Sequence, residues 1–554
     1  MFVTRRCVPR HAAASSADGV RLSLCMIVRD NAVTLTPCLA SIRPWVDEMV
    51  VVDTGSRDDT PLIAQDFGAR LFHFPWGDDF SAPRNESLRH ARGQWLFWMD
   101  SDDTIDAENG RGLRELANGC HEANTLGYVM QVHCPARDDE AAGGLTVVDH
   151  VKMFRNHPDL RFEFRIHEQV LPSIRRLGGE VVWTDLFVDH SGADHTREGR
   201  QRKYDRDLRI LGLELQDKPD HPFVLFNLGM TYSDMGDHRR AAEYLERCLR
   251  CSHPEESHVR KAHALLVSTL AAQGHRDEAW QACCEGRKSF PDDPELLFRQ
   301  GMAAHALGRL DEAEQAYRGA LANREERHFS SVDPGIIGYK ARHNLALVYE
   351  ARGRDDLAEL QWRQAVAESP AFREGQRCLG ESLLRRRRYV SAEVHIENML
   401  TQPLLRSAAK VLRAQLAGLR GEPEAARREL EDAVAAAATS SESLQPLCRL
   451  LFEHGHLEDA RQALHRLVEL CPEDGAAHHN LGLVYLRLGQ AENAIAWLRE
   501  SLRLRPKAIL TWEQLAQTLD ALGRPDEAVE ARQQAQRIGA LVEHETETTE
   551  ANHS

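Results

Sequence analysis

Short apolar runs alternate with amphipathic segments over the first hundred residues of the chain. Apolar runs of this length are typical of strands that are buried on both faces of a parallel sheet. Strands that alternate with helical segments at this spacing indicate βαβ units, whose connections are right-handed. The four predicted strands cover residues 22–28, 48–52, 70–74 and 95–99.

Three of these predicted strands end in carboxylates. Asp30 and Asp53 follow the first two strands, and the run Asp100-Ser-Asp102-Asp103 follows the fourth. The carboxyl ends of parallel strands share one rim, and open α/β sheets bind ligands there. Asp100 and Asp102 lie two positions apart, so on an extended backbone they point the same way and can bind a divalent cation. Taken alone, such a pair indicates a solvated turn rather than a cation site.

Beyond residue 126 the pattern predicts further strands in an antiparallel or mixed extension of the sheet. These strands cover residues 128–134, 145–154 and 181–188. The chain becomes helical after residue 203, and 204–215 is predicted to be a connecting helix.

An internal repeat organises the remainder of the chain. Alanine recurs nine times, a glycine precedes it by five residues in every unit except one, and the step is 34 residues from Gly353 onward. The alanines are Ala241, Ala279, Ala313, Ala358, Ala392, Ala426, Ala460, Ala494 and Ala528. The residues five positions before them are Gly236, Gly274, Gly308, Gly353, Arg387, Gly421, Gly455, Gly489 and Gly523.

This period and pattern resemble the tetratricopeptide repeat, in which each unit is a pair of helices. The glycine is predicted to end the first helix in a left-handed conformation, and the alanine to let the second helix pack closely. Stacked pairs bury their remaining faces against their neighbours, so we expect a curved solenoid with a concave groove.

Four motifs in the first part of the chain also follow one another in a recognisable order: SLCMIVRDN at 23–31, VVVDTGS at 50–56, APRN at 82–85 and WMDSD at 98–102. They resemble the family 2 glycosyltransferases, and most closely the bacterial branch related to sublancin-type peptide glycosyltransferases. The resemblance covers residues 22–192. It implies a GT-A fold, a nucleotide-diphosphate sugar as donor and a divalent cation, Mn²⁺ or Mg²⁺, as cofactor.

The resemblance also implies roles for individual residues. Asp102 is expected to contact the cation directly, with Asp100 on the ribose or the metal. A late histidine completes the cation site in this fold, and His190 in the segment VDHSG at 188–192 matches it, with His195 a weaker choice. The other residues expected to bind the nucleotide sugar are Asp30, Asp53, Thr54, Arg84 and Asn85. For Asp53 the alternative is a helix N-cap.

An inverting transfer needs a general base that takes a proton from the attacking group. The segment RFEFRIHEQ at 161–169 lies where the resembling family builds its acceptor side. Glu168 is the leading candidate for the base, and His167 is the second. The alternative is that both residues cap the following helix or satisfy a buried polar network.

Composition narrows the function further. The net charge of −16 argues against general binding to nucleic-acid phosphates. No apolar stretch is long enough to span a bilayer. The twelve cysteines are scattered mostly within apolar patterns, which fits reduced thiols in a cytoplasmic protein better than a disulfide framework.

The chain is therefore predicted to combine α/β and all-α parts: a GT-A, Rossmann-like nucleotide-sugar domain followed by an α-solenoid of about nine repeats. The expected organisation is a disordered leader at 1–20, a glycosyltransferase domain at 21–200, a connecting helix at 201–220, the solenoid at 221–541 and a disordered acidic tail at 542–554.

The predicted function is metal-dependent, inverting sugar transfer to a protein or peptide acceptor that the repeat groove recruits. Two alternatives remain open from the sequence. The chain is a repeat scaffold with an inactive or marginal transferase domain, or the transferase acts on a lipid or glycan acceptor.

Overall fold

A computed structural model describes residues 19–135, 145–191, 196–254, 256–322, 333–437 and 441–551. The predicted disordered leader at 1–20 therefore lies almost wholly outside the described residues. The chain divides into two compact units with the boundary between Glu368 and Ser369.

The first unit begins with an α/β domain. Its strands are β1 Leu22–Val28, β2 Glu48–Asp53, β3 Arg70–His73, β4 Trp95–Trp98, β5 Asp103–Thr104, β6 Thr125–Pro135, β7 Leu145–Arg155 and β8 Glu180–His190. Its helices are α1 Ala32–Ile42, α2 Thr60–Asp66, α3 Ser81–His90, α4 Ala107–Asn118 and α5 Leu171–Arg176, with a 3-10 turn at Arg43–Trp45. All seven strands predicted from the sequence are present, with ends shifted by a few residues.

The eight strands form one sheet in the order β3-β2-β1-β4-β7-β6-β8-β5. The first four strands run parallel, as the βαβ pattern predicted, and β7 joins β4 in the antiparallel direction. Strand β6 pairs antiparallel with β7 and parallel with β8, so the extension is mixed. The four parallel strands therefore form one half of the sheet, and the mixed extension adjoins them at β4.

Alternate residues of the central strands pack into two separate apolar layers, one on each face of the sheet. Leu24, Val51 and Phe97 belong to one layer, whereas their neighbours Cys25 and Val50 belong to the other. Burial on both faces explains why these strands are continuous apolar runs rather than alternating ones.

A long helix, α6 Arg197–Asp217, leads into the repeats. It begins before the predicted connecting helix, because Thr196 caps its N-terminus by accepting the Gly199 backbone N–H at 3.0 Å. The remaining helices of the first unit are α7 Pro222–Asp234, α8 His238–Cys251, α9 Val259–Ala272, α10 Arg276–Ser289, α11 Pro294–Ala306, α12 Leu310–Ala322, α13 Tyr339–Ala351 and α14 Asp355–Glu368, with a 3-10 turn at Pro334–Ile337.

The second unit continues the helical pairs. Its helices are α15 Arg373–Arg385, α16 Tyr389–Leu400, α17 Arg406–Leu419, α18 Pro423–Ala437, α19 Ser441–Glu453, α20 Leu457–Leu470, α21 Gly475–Arg487, α22 Ala491–Leu504, α23 Ile509–Ala521 and α24 Pro525–Ala551, with a 3-10 turn at Pro403–Leu405. Over the described ranges, α7 to α24 make nine helical pairs. None of the described helices is both long and apolar enough to cross a membrane.

The turn inside each pair has the predicted left-handed residue. All eight repeat glycines have positive φ, and Arg387, which replaces glycine in the fifth unit, has φ 55°. The N–H groups of Arg387 and Arg388 donate to the carbonyls of Leu384 and Leu383, the same pattern that Gly489 and its successor make. The turn geometry therefore persists where the glycine is lost.

The end of the chain differs from its prediction. Residues 542–551 were expected to be disordered, but α24 continues through them to Ala551. The segment contains no proline or glycine, and four of its ten residues are glutamates with good helix propensity, so no local residue breaks the helix. Residues 552–554 lie outside the described part of the chain.

Candidate active site

The acidic turn after β4 is held by its own backbone and side chains. The Asp103 N–H donates to the Asp100 carbonyl, and the Asp100 N–H donates to Oδ2 of Asp103, both at 3.1 Å. The chain then enters β5, where Asp103 pairs antiparallel with His190 at the end of β8. The Ser191 N–H and hydroxyl both donate to the Asp102 carbonyl. This pairing brings a residue 87 positions away onto the acidic turn.

Asp103 is fully buried and its carboxylate is already occupied. Lys152 Nζ on β7 lies 3.0 Å from Oδ2, and His190 Nδ1 lies 2.9 Å from Oδ1. Burial opposes ionisation, but the Lys152 ammonium and the His190 bond hold the pKa of Asp103 well below its usual range. Lys152 is also buried, 3.8 Å from the centre of the Trp98 ring. Asp103 is thus a charged support for the site.

Asp102, Asp103 and His190 form a cluster with ligand geometry. One ligand atom from each residue lies within 4.8 Å of the others. Burial, with the charges of Asp100 and Asp103, raises the pKa of Asp102, while His190 opposes that rise. The hydrogen bond to Asp103 raises the pKa of His190 and uses Nδ1, the ring nitrogen that also lies 3.6 Å from Oδ1 of Asp102. Carboxylate oxygens and one imidazole make a donor set that fits a divalent cation.

Arg84 joins the acidic turn to the segment that contains Glu168. Its Nη2 lies 2.5 Å from Oδ1 of Asp100, and its Nε pairs with Oε1 of Glu168. Burial alone would lower the pKa of Arg84, but the two carboxylates raise it, so the guanidinium is permanently charged. Its charge also lies 4.4 Å from the centre of the Trp98 ring. Its third nitrogen, Nη1, is buried without a hydrogen-bond partner among the described residues.

Asp100 completes this bridge. Burial disfavours its ionised form, but the Arg84 guanidinium and the Lys152 ammonium hold the pKa of Asp100 below its usual value. Its side chain is 40% exposed, in contrast to the buried Asp103. Asp100 is therefore an ionised carboxylate that a ligand can reach.

The two base candidates occupy different surroundings. Glu168 is mostly buried and ion-paired to Arg84. His167 has a left-handed backbone with φ 55°, and burial lowers the pKa of its ring, with Asp207 of α6 the largest opposing charge. The His167 ring thus lies close to charged groups of the connecting helix, whereas Glu168 is joined to the acidic turn.

The loops after β1 and β2 form a second group of polar residues on the same rim. Asp30 has φ 51°, its N–H donates to Oγ of Ser56, and its Oδ1 accepts the Arg57 N–H at 2.7 Å. Oγ of Ser56 in turn donates to Oδ1 of Asp53, which is buried. Asp53 does not cap α2, whose N-cap residue is Asp59; its carboxylate instead closes the turn that follows β2.

Strand β1 separates β2 from β4, so the turn with Asp53 and the turn with Asp100 follow strands that are two positions apart in the sheet. The rim therefore carries the Asp30–Asp53 loops and the acidic turn with Arg84 on neighbouring strand ends.

Two of the predicted donor-binding residues have other partners. The Thr54 hydroxyl is buried and donates to the Val28 carbonyl at 3.1 Å, which ties β2 to β1. Both ends of the Asn85 amide are used by Phe162, whose carbonyl accepts at 2.9 Å and whose N–H donates at 2.8 Å. Thr54 and Asn85 therefore connect elements of the domain through backbone groups. His195 lies outside the described residues.

Sequence reasoning missed two residues of the site. The acidic run contains Asp103 but gives it no role distinct from its neighbours, and Lys152 belongs to none of the motifs. A lysine inside the otherwise apolar end of a predicted strand, VKMF at 151–154, is the signal that could have identified a buried charge partner.

Comparisons with known proteins agree with this architecture. The profile of "Glycosyl transferase family 2" matches residues 23–124. Three tetratricopeptide-repeat profiles match residues 224–250, 259–327 and 384–538.

Similar proteins include one named for its repeats and two named as glycosyltransferases. A TPR repeat-containing protein of Synechococcus elongatus is 31% identical over 356 residues, which cover 63% of this chain and 76% of that protein. The glycosyltransferase SunS of Bacillus subtilis is 24% identical over 240 residues, which cover 43% of this chain and 55% of SunS. An uncharacterised glycosyltransferase of Rickettsia felis is 26% identical over 121 residues, 22% of this chain and 42% of that protein.

The α/β domain with its acidic rim, together with these matches, defines a glycosyltransferase whose family 2 domain is joined to tetratricopeptide repeats. The chain belongs to the family of TPR repeat-containing proteins that includes the Synechococcus elongatus protein. As a glycosyltransferase of this class, it uses a nucleotide-sugar donor.

Proposed function

We propose that this protein transfers a sugar, with inversion, from a nucleotide-diphosphate sugar to a protein or peptide acceptor in a reaction that requires Mn²⁺ or Mg²⁺. The observation that carries the proposal is the Asp103–His190 strand pairing. It places a histidine and Asp102 together, beside the Arg84 bridge between Asp100 and Glu168.

The cation would be held by Asp102, Asp100 and His190. When bound, it supplies Lewis-acid stabilisation of the diphosphate leaving group. Asp103 orients the His190 ring through Nδ1, and Lys152 balances the charge of Asp103. The ligands are thus fixed by a buried ion pair.

The donor would lie along the rim from the Asp30–Asp53 loops to the acidic turn. Nη1 of Arg84 is a buried charged donor without a protein partner in the described chain, so it is suited to bind an oxygen of the nucleotide sugar. Asp53 would bind the base or ribose from its fixed turn. Both assignments leave the Arg84 guanidinium and the Asp53 carboxylate in the positions that their existing hydrogen bonds fix.

Glu168 is the proposed general base. Its ion pair with Arg84 uses Oε1, and Oε2 is the oxygen to which we assign proton removal from the acceptor. His167, near Asp207, would support the loop rather than contact the acceptor.

The acceptor side of the proposal rests on the repeats. Tetratricopeptide arrays present long surfaces on which peptides bind, and here nine helical pairs follow the catalytic domain over the described ranges.

The cysteines of the described residues are free, which supports a reducing compartment such as the cytoplasm.

The test uses a panel of UDP-glucose, UDP-galactose, UDP-N-acetylglucosamine and GDP-mannose, with Mn²⁺ or EDTA. We expect the wild type to release nucleoside diphosphate from one of these donors, and to do so only when the metal is present. Asp102→Asn should reduce the rate of this release at least 100-fold. Asp189→Asn, the same change at an exposed position beside His190, is the control and should retain the rate. A wild type that neither hydrolyses nor is thermally stabilised by any donor with Mn²⁺ would refute the proposal.

Glu168→Gln tests the base separately. We expect it to abolish sugar transfer while UDP or GDP with Mn²⁺ still raises the unfolding temperature, because the nucleotide site is intact. Unchanged turnover in this variant would remove Glu168 from the base role.

A further inference from the structure

The segment that carries Glu168 is a short closed loop with an unusual backbone. Glu163 and Gln169 exchange both backbone hydrogen bonds at 3.0 Å, and we call residues 163–169 the base loop. Two of its non-glycine residues, Phe164 and His167, have positive φ values of 72° and 55°. L-residues disfavour this conformation, so contacts from outside the loop must hold it.

Arg165, in the middle of the base loop, receives these contacts from both sides. Its N–H donates to Oε2 of Glu214 on α6 at 2.7 Å, and its carbonyl accepts the N–H of Phe80 at 2.7 Å. Its guanidinium also pairs with the more exposed Asp217 at 2.8 Å. The loop backbone is thus fixed between the connecting helix and the start of α3.

These contacts lead back to the reaction site. Phe80 immediately precedes α3, whose first turn carries Arg84, and Arg84 pairs with Glu168 at the far side of the same loop. The path from Glu214 through Arg165, Phe80 and Arg84 to Glu168 is therefore a continuous chain of hydrogen bonds and one helical turn.

Apolar packing ties the same loop to the first repeat. Ile166 is buried with Ile210 and Leu211 of α6 and with Val224 and Leu228 of α7. Phe164 packs at the edge of this cluster, where Lys218 Nζ lies 4.8 Å from its ring centre. The connecting helix and the first repeat helix thus form the wall behind the base loop.

We propose that Glu214, on the helix that leads into the repeats, is a positioning residue for sugar transfer, because it holds the base loop and through it Glu168. The inference rests on the proposed role of Glu168. Glu214 is only 5% exposed, and its second oxygen pairs with Lys218 at 2.8 Å, which fixes the carboxylate for the Arg165 N–H.

Two full-length variants test this role. Glu214→Leu removes the acceptor for the Arg165 N–H, whereas Glu214→Gln keeps an oxygen that can accept it. We expect Glu214→Leu to lower kcat for metal-dependent hydrolysis of the active panel donor at least tenfold with KM changed less than twofold. Glu214→Gln should stay within threefold of wild type. Glu246→Leu, the same change at an exposed position on α8, is the control.

Limited proteolysis gives a readout that does not depend on activity. Trypsin should cleave after Arg165 faster in Glu214→Leu than in wild type or Glu214→Gln, because the loop loses its anchor. Wild-type kcat and unchanged cleavage in Glu214→Leu would overturn the inference. An equal loss of kcat in Glu214→Leu and Glu214→Gln would also overturn it, because the effect would then follow from the charge. A loss of kcat in Glu214→Leu together with a loss of thermal stabilisation by Mn²⁺ and nucleotide would overturn it too, because the effect would then follow from misfolding. An inert wild type with the expected cleavage pattern would instead contradict the proposed function.

Discussion

At the scale of the residue, the buried carboxylate of Asp103 at the rim is stabilised by individual side-chain partners. Asp103 has no contact with solvent, yet it is ionised because Lys152 and His190 take its two oxygens. Replacing one partner of such a pair leaves an uncompensated buried charge, whereas replacing both does not. The acidic turn thus depends on a lysine from a strand beyond its own βαβ unit.

Lys152→Met should therefore lower the free energy of unfolding of the catalytic domain by about 3 kcal/mol, because among the described residues Asp103 then keeps His190 and the Asp100 N–H as partners but loses its ammonium counter-charge. Lys152→Met combined with Asp103→Asn should recover part of this loss. Thermal unfolding of both variants, with Lys507→Met at an exposed position as control, measures the effect. A single variant as stable as wild type would show that the ion pair contributes nothing.

A second residue-scale prediction concerns acid stability. His258 is buried, and burial lowers the pKa of its ring from 6.5 to about 4 in the folded protein. The unfolded chain then binds a proton between these values and the folded chain does not, so stability falls as pH decreases below about 6.5. Glu256 and His221 are the charged neighbours, and Ser252 Oγ lies 3.0 Å from Nε2.

From pH 7 to pH 5 this group should cost on the order of 2 kcal/mol of stability. His258→Gln should reduce the change in unfolding temperature between the two pH values, while His275→Gln, at a half-exposed position, should not. Equal pH sensitivity of His258→Gln and wild type would contradict the assignment.

At the scale of the element, each repeat turn requires one left-handed residue. Eight of the nine described turns use glycine, which has no Cβ to clash, and the fifth uses Arg387 at φ 55°. A non-glycine residue in this region costs about 1–2 kcal/mol, and glycine itself costs about 0.5–1 kcal/mol in chain entropy. The net penalty at Arg387 is thus small enough for packing to outweigh it.

Arg387→Gly should stabilise the second unit by about 0.5–1 kcal/mol, and the reverse change Gly353→Arg should destabilise its own turn by a similar amount. Urea unfolding of the two variants measures the change in the free energy of unfolding, which should be positive for Arg387→Gly and negative for Gly353→Arg. If Arg387→Gly is destabilising, the exposed arginine makes contacts worth more than the backbone strain.

At the scale of the whole molecule, the catalytic domain and the first repeats form one compact unit that ends at Glu368. The base loop packs against α6 and α7, so the boundary between the two compact units does not coincide with the boundary between catalytic domain and repeats. The first repeats are thus part of the structure that holds the site.

A fragment ending at residue 368 should therefore keep metal-dependent donor hydrolysis within about threefold of the full chain, because repeats interact mainly with their neighbours. A fragment ending at residue 196 should lose at least 90% of it, because Glu214 and the α6–α7 wall are absent. Activity assays with circular dichroism of both fragments test this. An active 196-residue fragment would show that the base loop needs no support.

The sequence by itself determined the elements. The apolar runs identified the strands and the Asp-rich tips identified their carboxyl ends, because burial on both faces and turn chemistry are local properties of the chain. The 34-residue period determined the helical pairs and even the left-handed turns, since each unit repeats the same local packing.

Only the tertiary structure decided which tips meet and what supports them. The pairing of Asp103 with His190, the buried Lys152 and the contact of Arg165 with Glu214 each join residues that are distant in sequence, and no local pattern specifies such partners. The same holds for Thr54 and Asn85, whose side chains are taken up by backbone groups of other elements. A buried charge or polar group must find its partner wherever the fold brings one, so its identity follows from packing rather than from sequence spacing.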